Sequence, residues 1–102
     1  MIEGLSHVTF IVRDLDRMEA FLRAVFEAER VYDSGPDTHS LSRERFFVIG
    51  GVWVAVMRGD PLREPTYNHV AFKIPDSEFT AYERRVREHG VEVRTGRSRM
   101  DG

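Results

Sequence analysis

At 102 residues, 41% apolar and 11% aromatic, the chain can build one domain with one core, which excludes wholesale disorder. Fifteen basic against seventeen acidic residues give a net charge of −2, too even for a nucleic-acid or anionic-membrane binder. With no cysteine there is no disulfide, thiolate metal site or thiol nucleophile. With no bilayer-length apolar run, and no basic-then-apolar opening after Met1, a small cytoplasmic domain is expected.

The first predicted strand runs from Leu5 to Val12. Leu5, His7, Thr9 and Ile11 point one way, and Ser6, Val8, Phe10 and Val12 the other. Asp14 can cap a helix whose stripe is Leu15, Met18, Phe21, Leu22, Val25 and Phe26. After a short run at Arg30 to Tyr32, Asp33-Ser34-Gly35-Pro36-Asp37 reads as a turn. Two β-rich runs follow, Arg43 to Ile49 and Val52 to Met57, and Gly50-Gly51 between them signals a tight hairpin. Arg58 to Pro65, with two prolines, one glycine and four charges, is a linker.

Then the order repeats. Tyr67 to Ile74 reads as a strand, Asp76 as a cap, and Phe79, Tyr82 and Val86 as the buried side of a helix stopped by Gly90. Val91 to Arg94 starts another strand. An offset of 62 aligns His7 with His69, Val8 with Val70, Phe10 with Phe72 and Asp14 with Asp76. The chain therefore reads as a single α+β domain of two β-α-β-β-β units: unit one about 1–58, a linker about 59–65, and unit two about 66–102. The second copy reaches Gly102 two strands short of the first, which would leave a sheet edge unpaired and an apolar face uncovered.

The two repeat histidines carry the most chemistry. Val8, Phe10 and Val12, and Val70, Phe72 and Ile74, form the faces that helices would cover, so His7 and His69 lie on the opposite faces beside Thr9 and Tyr67. Packed about a pseudo-twofold axis, both imidazoles would converge on one cavity and could bind a metal. The plain alternative is two hydrogen-bonded strand histidines, and spacing leaves both readings open. His39 and His89 have no partner in the pattern and read as structural. Glu44 starts a strand beside Phe46 and Val48; it is either a cavity-facing general base or a solvated strand end. Trp53 lines a pocket or fills the core, the latter being the default. Arg84, Arg85 and Arg87 alternate with glutamates and read as a solvated face, whereas Arg94, Arg97 and Arg99 stay open as ligands for an acidic substrate. No nucleophile elbow, phosphate loop or dinucleotide fingerprint is present.

Three segments carry a specific resemblance: Met1-Ile2-Glu3-Gly4-Leu5-Ser6-His7, Leu41-Ser42-Arg43-Glu44-Arg45-Phe46-Phe47, and Tyr67-Asn68-His69-Val70-Ala71-Phe72-Lys73-Ile74. Together they resemble the FosX group, fosfomycin-resistance epoxide hydrolases of the vicinal-oxygen-chelate (glyoxalase/bleomycin-resistance) superfamily. The resemblance implies paired βαβββ units and a divalent metal, typically manganese, held by two histidines and a glutamate. His7 and His69 match the histidines; the family's glutamate belongs to its last strand, beyond Gly102. It also implies a homodimer with exchanged units, His7 serving with His69 of the other subunit.

By the same resemblance, Glu44 deprotonates the water that opens the epoxide of fosfomycin. Thr9 hydrogen-bonds the epoxide oxygen, Phe46 and Trp53 wall the pocket, and Tyr67 and Arg94 contact substrate. Three rivals share the fold: a thiol transferase acting on the same epoxide, a non-catalytic drug-binding module, and an Fe(II) extradiol-type dioxygenase. Glu44 argues against the first, because a thiolate nucleophile needs no carboxylate to activate water.

Overall fold

Five elements in the first half of the chain build one mixed sheet with a helix on one side. They are β1 (His7–Val12), α1 (Leu15–Phe26), β2 (Glu29–Asp33), β3 (Glu44–Ile49) and β4 (Val52–Arg58). The structure, a computed structural model, describes residues 1–36 and 42–93. Met1–Ala71 forms one unit and Phe72–Gly102 a second. In the first, the strand order is β1-β4-β3-β2, with β1 parallel to β4 and the other neighbours antiparallel. The fold class is α+β and the unit is β-α-β-β-β.

Local chemistry explains the elements. Asp14 caps α1, its Oδ1 accepting from the Arg17 N–H at 3.0 Å. The expected stripe turns Leu15, Leu22 and Val25 fully inward and leaves Met18, Phe21 and Phe26 half-buried. Gly50 and Gly51 both take positive φ, 55° and 80°, as a two-residue hairpin of matching twist requires, and Ile49 pairs with Val52 across it. β1 begins at His7 rather than Leu5, because its only partner among the described residues is β4, whose first residue paired with it is Trp53.

The sheet has two chemically different faces. Towards α1 lie Phe47, Ile49, Val54 and Val56, all buried, together with the buried Arg45. The other face carries three rows of neighbours set by the register: His7–Trp53–Val48, Thr9–Ala55–Phe46 and Ile11–Met57–Glu44. Burial in β3 alternates strictly, with Arg45, Phe47 and Ile49 buried and Glu44, Phe46 and Val48 half-buried. A bulge at Val31 separates Arg30, opposite Phe47, from Tyr32, opposite Phe46. That extra residue swaps faces in mid-strand: Arg30 and Asp33 face the helix, and Tyr32 faces away. α1 lies over β3 and β4. Val8 and Val12 are half-buried, but Phe10 on edge strand β1 stays 38% exposed, contrary to the expected full cover.

The second sequence repeat departs further from expectation. Residues 67–74 form no strand. In the first repeat β1 is held only by β4, and the described residues of the second contain no equivalent hairpin to pair with. Asp76 is not a helix cap; it opens a 3-10 turn, Asp76–Glu78, closed by the Glu78 N–H on the Pro75 carbonyl at 3.0 Å. α2 (Phe79–Glu88) follows and ends as expected at Gly90, where φ is +74° and the Val91 N–H reaches back to the Val86 carbonyl. None of its residues is fully buried and Phe79 is 60% exposed, and the described residues of this repeat form no sheet for the expected stripe to cover. Residues 91–93 form no strand, and Arg94 lies outside the described residues.

Phe47, 1% exposed, is the largest fully buried side chain of the helix-facing layer. Phe47→Ala should cost about 3–5 kcal/mol of unfolding free energy, measured by urea denaturation. A loss below 1 kcal/mol would mean that this layer is not the core.

Candidate functional site

The open face of the sheet assembles a pocket from residues two apart on three strands. A cavity of about 70 Å³ is lined by Ser6, His7, Phe46, Trp53 and Ala55. Ala55, buried at the centre of the middle row, is its floor; a larger residue there would fill it. Trp53, 46% exposed, packs edge-on against Phe46 at 6.0 Å between ring centres, and Tyr32 adds a third ring at 5.1 Å from Phe46. Trp53 is thus a wall of the pocket and not part of the core, because its strand partner on this face is His7 and α1 packs against the other face.

A second, larger groove of about 570 Å³ lies along β1. The chain leaves β4 through Gly59, whose N–H donates to the Val12 carbonyl at 2.8 Å, and Asp60, Leu62, Glu64, Thr66 and Asn68 to Val70 are among the residues that line the groove with Thr9, Phe10 and Ile11. His69 belongs to this groove and His7 to the cavity, so the two imidazoles border different spaces of one chain. Thr9 shares the face of His7 and the groove of His69. The Tyr67 ring is fully exposed and lines neither space.

Each histidine has its Nδ1 engaged. His69 Nδ1 lies 2.8 Å from the Tyr67 carbonyl oxygen. A carbonyl only accepts, so Nδ1 carries the proton and Nε2 of the neutral ring keeps its lone pair for a metal. His7 Nδ1 lies 3.1 Å from Ser6 Oγ, a hydroxyl that can give or take a proton. Both rings are exposed. As donors they suit a divalent cation, yet among the described residues no group of three His, Asp or Glu side chains could hold one.

Glu44 is held in place by its neighbours. Its N–H donates to Ser34 Oγ at 3.0 Å, and its carbonyl accepts from the Ser34 N–H at 3.0 Å. On either side, Arg43 and Arg45 turn to the helix side and share the Asp33 carboxylate: Arg43 Nε and Nη2 at 3.2 and 3.0 Å, Arg45 Nε at 3.0 Å. Arg45 also reaches Asp16 at 2.8 Å and Glu19 at 3.2 Å on α1. Burial works against its charge, but the Asp16 and Asp33 carboxylates outweigh that and raise its pKa. The Arg43 guanidinium, helped by the Gly35 N–H, holds the Asp33 carboxyl well below the usual carboxylate range, against an opposing push from burial.

The residues alone set His7 beside Thr9 on one face, leave Glu44 open between cavity and solvent, and send Trp53 by default to the core; Phe46 and Trp53 as pocket walls and Glu44 as a base come from the family resemblance. Neither anticipates Ser6, Ala55 or Tyr32 there. Ala55 was signalled by its place two residues from Trp53. Tyr32 is hidden by the bulge, and Ser6 by an alternation that sets it on the face opposite His7, whereas β1 begins one residue after it. Arg94 lies outside the described residues.

The profile of the Glyoxalase/Bleomycin resistance protein/Dioxygenase superfamily matches residues 4–102. The fosfomycin resistance protein FosX of Mesorhizobium japonicum is 55% identical over all 102 residues, which cover 73% of its length. A crystal structure of a glutamate-to-glutamine variant of FosX from Listeria monocytogenes, with Mn(II) and 1S,2S-dihydroxypropylphosphonic acid, is similar over the whole of this chain and 78% of its own. The TM-score is 0.87 and the identity 50%. A metallothiol transferase, FosB of Shouchella clausii, is 33% identical over 98% of this chain and 66% of its own length. The chain belongs to the glyoxalase/bleomycin resistance superfamily and, within it, to the FosX fosfomycin resistance proteins. No helix among the described residues is long and apolar enough to cross a membrane.

Because the folded Asp33 carboxyl titrates far below its unfolded value, the stabilisation it gives is complete above about pH 4 and is lost as pH falls towards the folded value. The urea midpoint should therefore drop on acidification below pH 4, with a shallower drop in Asp33→Asn. Parallel profiles for the two proteins would show that this carboxylate does not carry the acid sensitivity.

Proposed function

We propose that the protein adds water to the epoxide of fosfomycin, giving a vicinal diol. The observation that supports this best is the common face: His7, Thr9, Phe46, Trp53 and Glu44 all stand on the side of the sheet turned away from α1. The ligand in the Listeria relative fits the same chemistry. A dihydroxypropylphosphonate is what water addition across the ring of an epoxypropylphosphonate yields.

Glu44 lies two rows and two strands from His7, or about 13 Å along the strands and about 10 Å across them at the backbone. An imidazole with its metal reaches in from one corner and a carboxylate from the other. In this reading one small substrate and one water lie between them, with Thr9 in the intervening row.

In this reading His7 and His69 hold a divalent metal, Mn(II) by the precedent of the relative. When bound, the metal supplies Lewis acidity towards the phosphonate and epoxide oxygens. His7 and His69 border separate spaces within one chain, so a homodimer that sets His7 beside His69 of the other subunit is part of the proposal. Glu44 takes a proton from water as the water oxygen bonds to a ring carbon and the carbon–oxygen bond of the epoxide breaks. Thr9 donates a hydrogen bond to the oxygen released. Phe46 and Trp53 exclude other water, and Tyr67 and Arg94 are assigned to the phosphonate.

The test is turnover of fosfomycin with Mn(II) and no thiol, following the diol by phosphorus NMR. Glu44→Gln should lower kcat on the order of 10²–10⁴-fold, and His7→Ala should weaken Mn(II) binding measured by titration of its paramagnetic signal. Strict dependence on added thiol would move the protein to the transferase reading that the FosB relative represents. Tight fosfomycin binding without turnover would leave a drug-binding module.

A further inference from the structure

Glu44 is the first residue of β3, and strand ends fray unless something ties them down. A slip of one residue would turn Glu44 to the helix side and send Arg45 to the open face. Hydrophobic patterning guards against that slip only from Phe46 onward. Ahead of it stands Arg43-Glu44-Arg45, three charged residues with no apolar preference for either face.

What distinguishes the two sides there is a set of carboxylates, of which Asp33 alone is bonded by both Arg43 and Arg45 among the described residues. Asp33 receives three guanidinium nitrogens from Arg43 and Arg45 within 3.2 Å, and Arg30 Nη1 stands 3.7 Å away. Its other hydrogen bond, from the Gly35 N–H at 2.8 Å, shapes the turn that brings Ser34 against both backbone groups of Glu44. The bulge at Val31 puts Asp33 on this side; without the extra residue it would face away from both arginines. Arg45 is anchored to α1 in turn, through Asp16 and Glu19.

We propose that Asp33 is the positioning residue for Glu44: by gripping the residue on either side, it fixes which face of β3 the Glu44 carboxylate occupies. The inference rests on the reading of Glu44 as the base that activates water. Asp33 itself lies on the opposite side of the sheet from the pocket, so it acts only through the strand.

The experiment is a double-mutant cycle on fosfomycin hydrolysis by the full chain. Asp33→Asn should lower kcat on the order of 10–100-fold, the usual result of misplacing a reacting group by about an ångström. KM and Mn(II) affinity should hold. In a Glu44→Gln background, Asp33→Asn should cost nothing further, because the group it positions is already gone. Arg43→Lys, which keeps the charge but removes the two-pronged grip, should give a smaller loss of the same kind and serves if Asp33→Asn does not fold.

Amide hydrogen exchange gives a readout that needs no turnover: Glu44 should exchange faster in Asp33→Asn while Val54 and Val56 do not. Equal losses in both backgrounds, or unchanged exchange at Glu44, would overturn the positioning role and leave the hydrolase reading standing. Full activity in Glu44→Gln alone would instead remove the base reading, and this inference with it.

Discussion

One buried cation ties the described sheet to its helix. Arg45 sits among Phe47, Val54 and Val56 on the packed side, where an unpaired charge would cost several kcal/mol. It is tolerated because Asp16 and Glu19 on α1 and Asp33 at the end of β2 converge on its guanidinium. The arrangement therefore sets three things at once: how α1 lies on the sheet, how β2 meets β3, and which residues of β3 are turned away. Ordinary apolar packing would supply the first. Only the directional demands of a planar guanidinium supply the other two.

Much of this was legible in the sequence, and for identifiable reasons. The Asp14 cap, the stripe of α1 and the Gly50-Gly51 hairpin are local signals, each decided within a few residues, and each appears where expected. Opposite faces for Val8 and His7 followed from period-two alternation, which needs no knowledge of the partner strand. What the sequence did not carry was anything decided by a partner. Residues 67–74 have the composition of a strand but form none, since a strand there depends on a second hairpin that the described residues do not contain. Trp53 defaulted to the core because size and hydrophobicity favour burial; only the register against His7 shows it on the open side.

The site was legible as residue types but not as an arrangement. His7 and His69 are equivalent by repeat, and the repeat suggested one cavity, yet in one chain they border two. The repeat equates positions along the chain and says nothing about which copy faces which. Arg43 and Arg45 drew no notice as a pair, because their common partner lies ten or more residues away across a bulge that no local pattern announces.

Strict alternation along β3 has a consequence for how such a protein can change over generations. Odd-numbered positions from 45 to 49 carry the load of folding, and even-numbered positions from 44 to 48 are half-buried on the other face, where Phe46 lines the pocket. A saturation scan of the strand should read as a comb, with tolerated and intolerant positions in turn. Selection for a new substrate can then explore Phe46 and Val48 at little cost to the fold, provided the odd-numbered teeth stay in place.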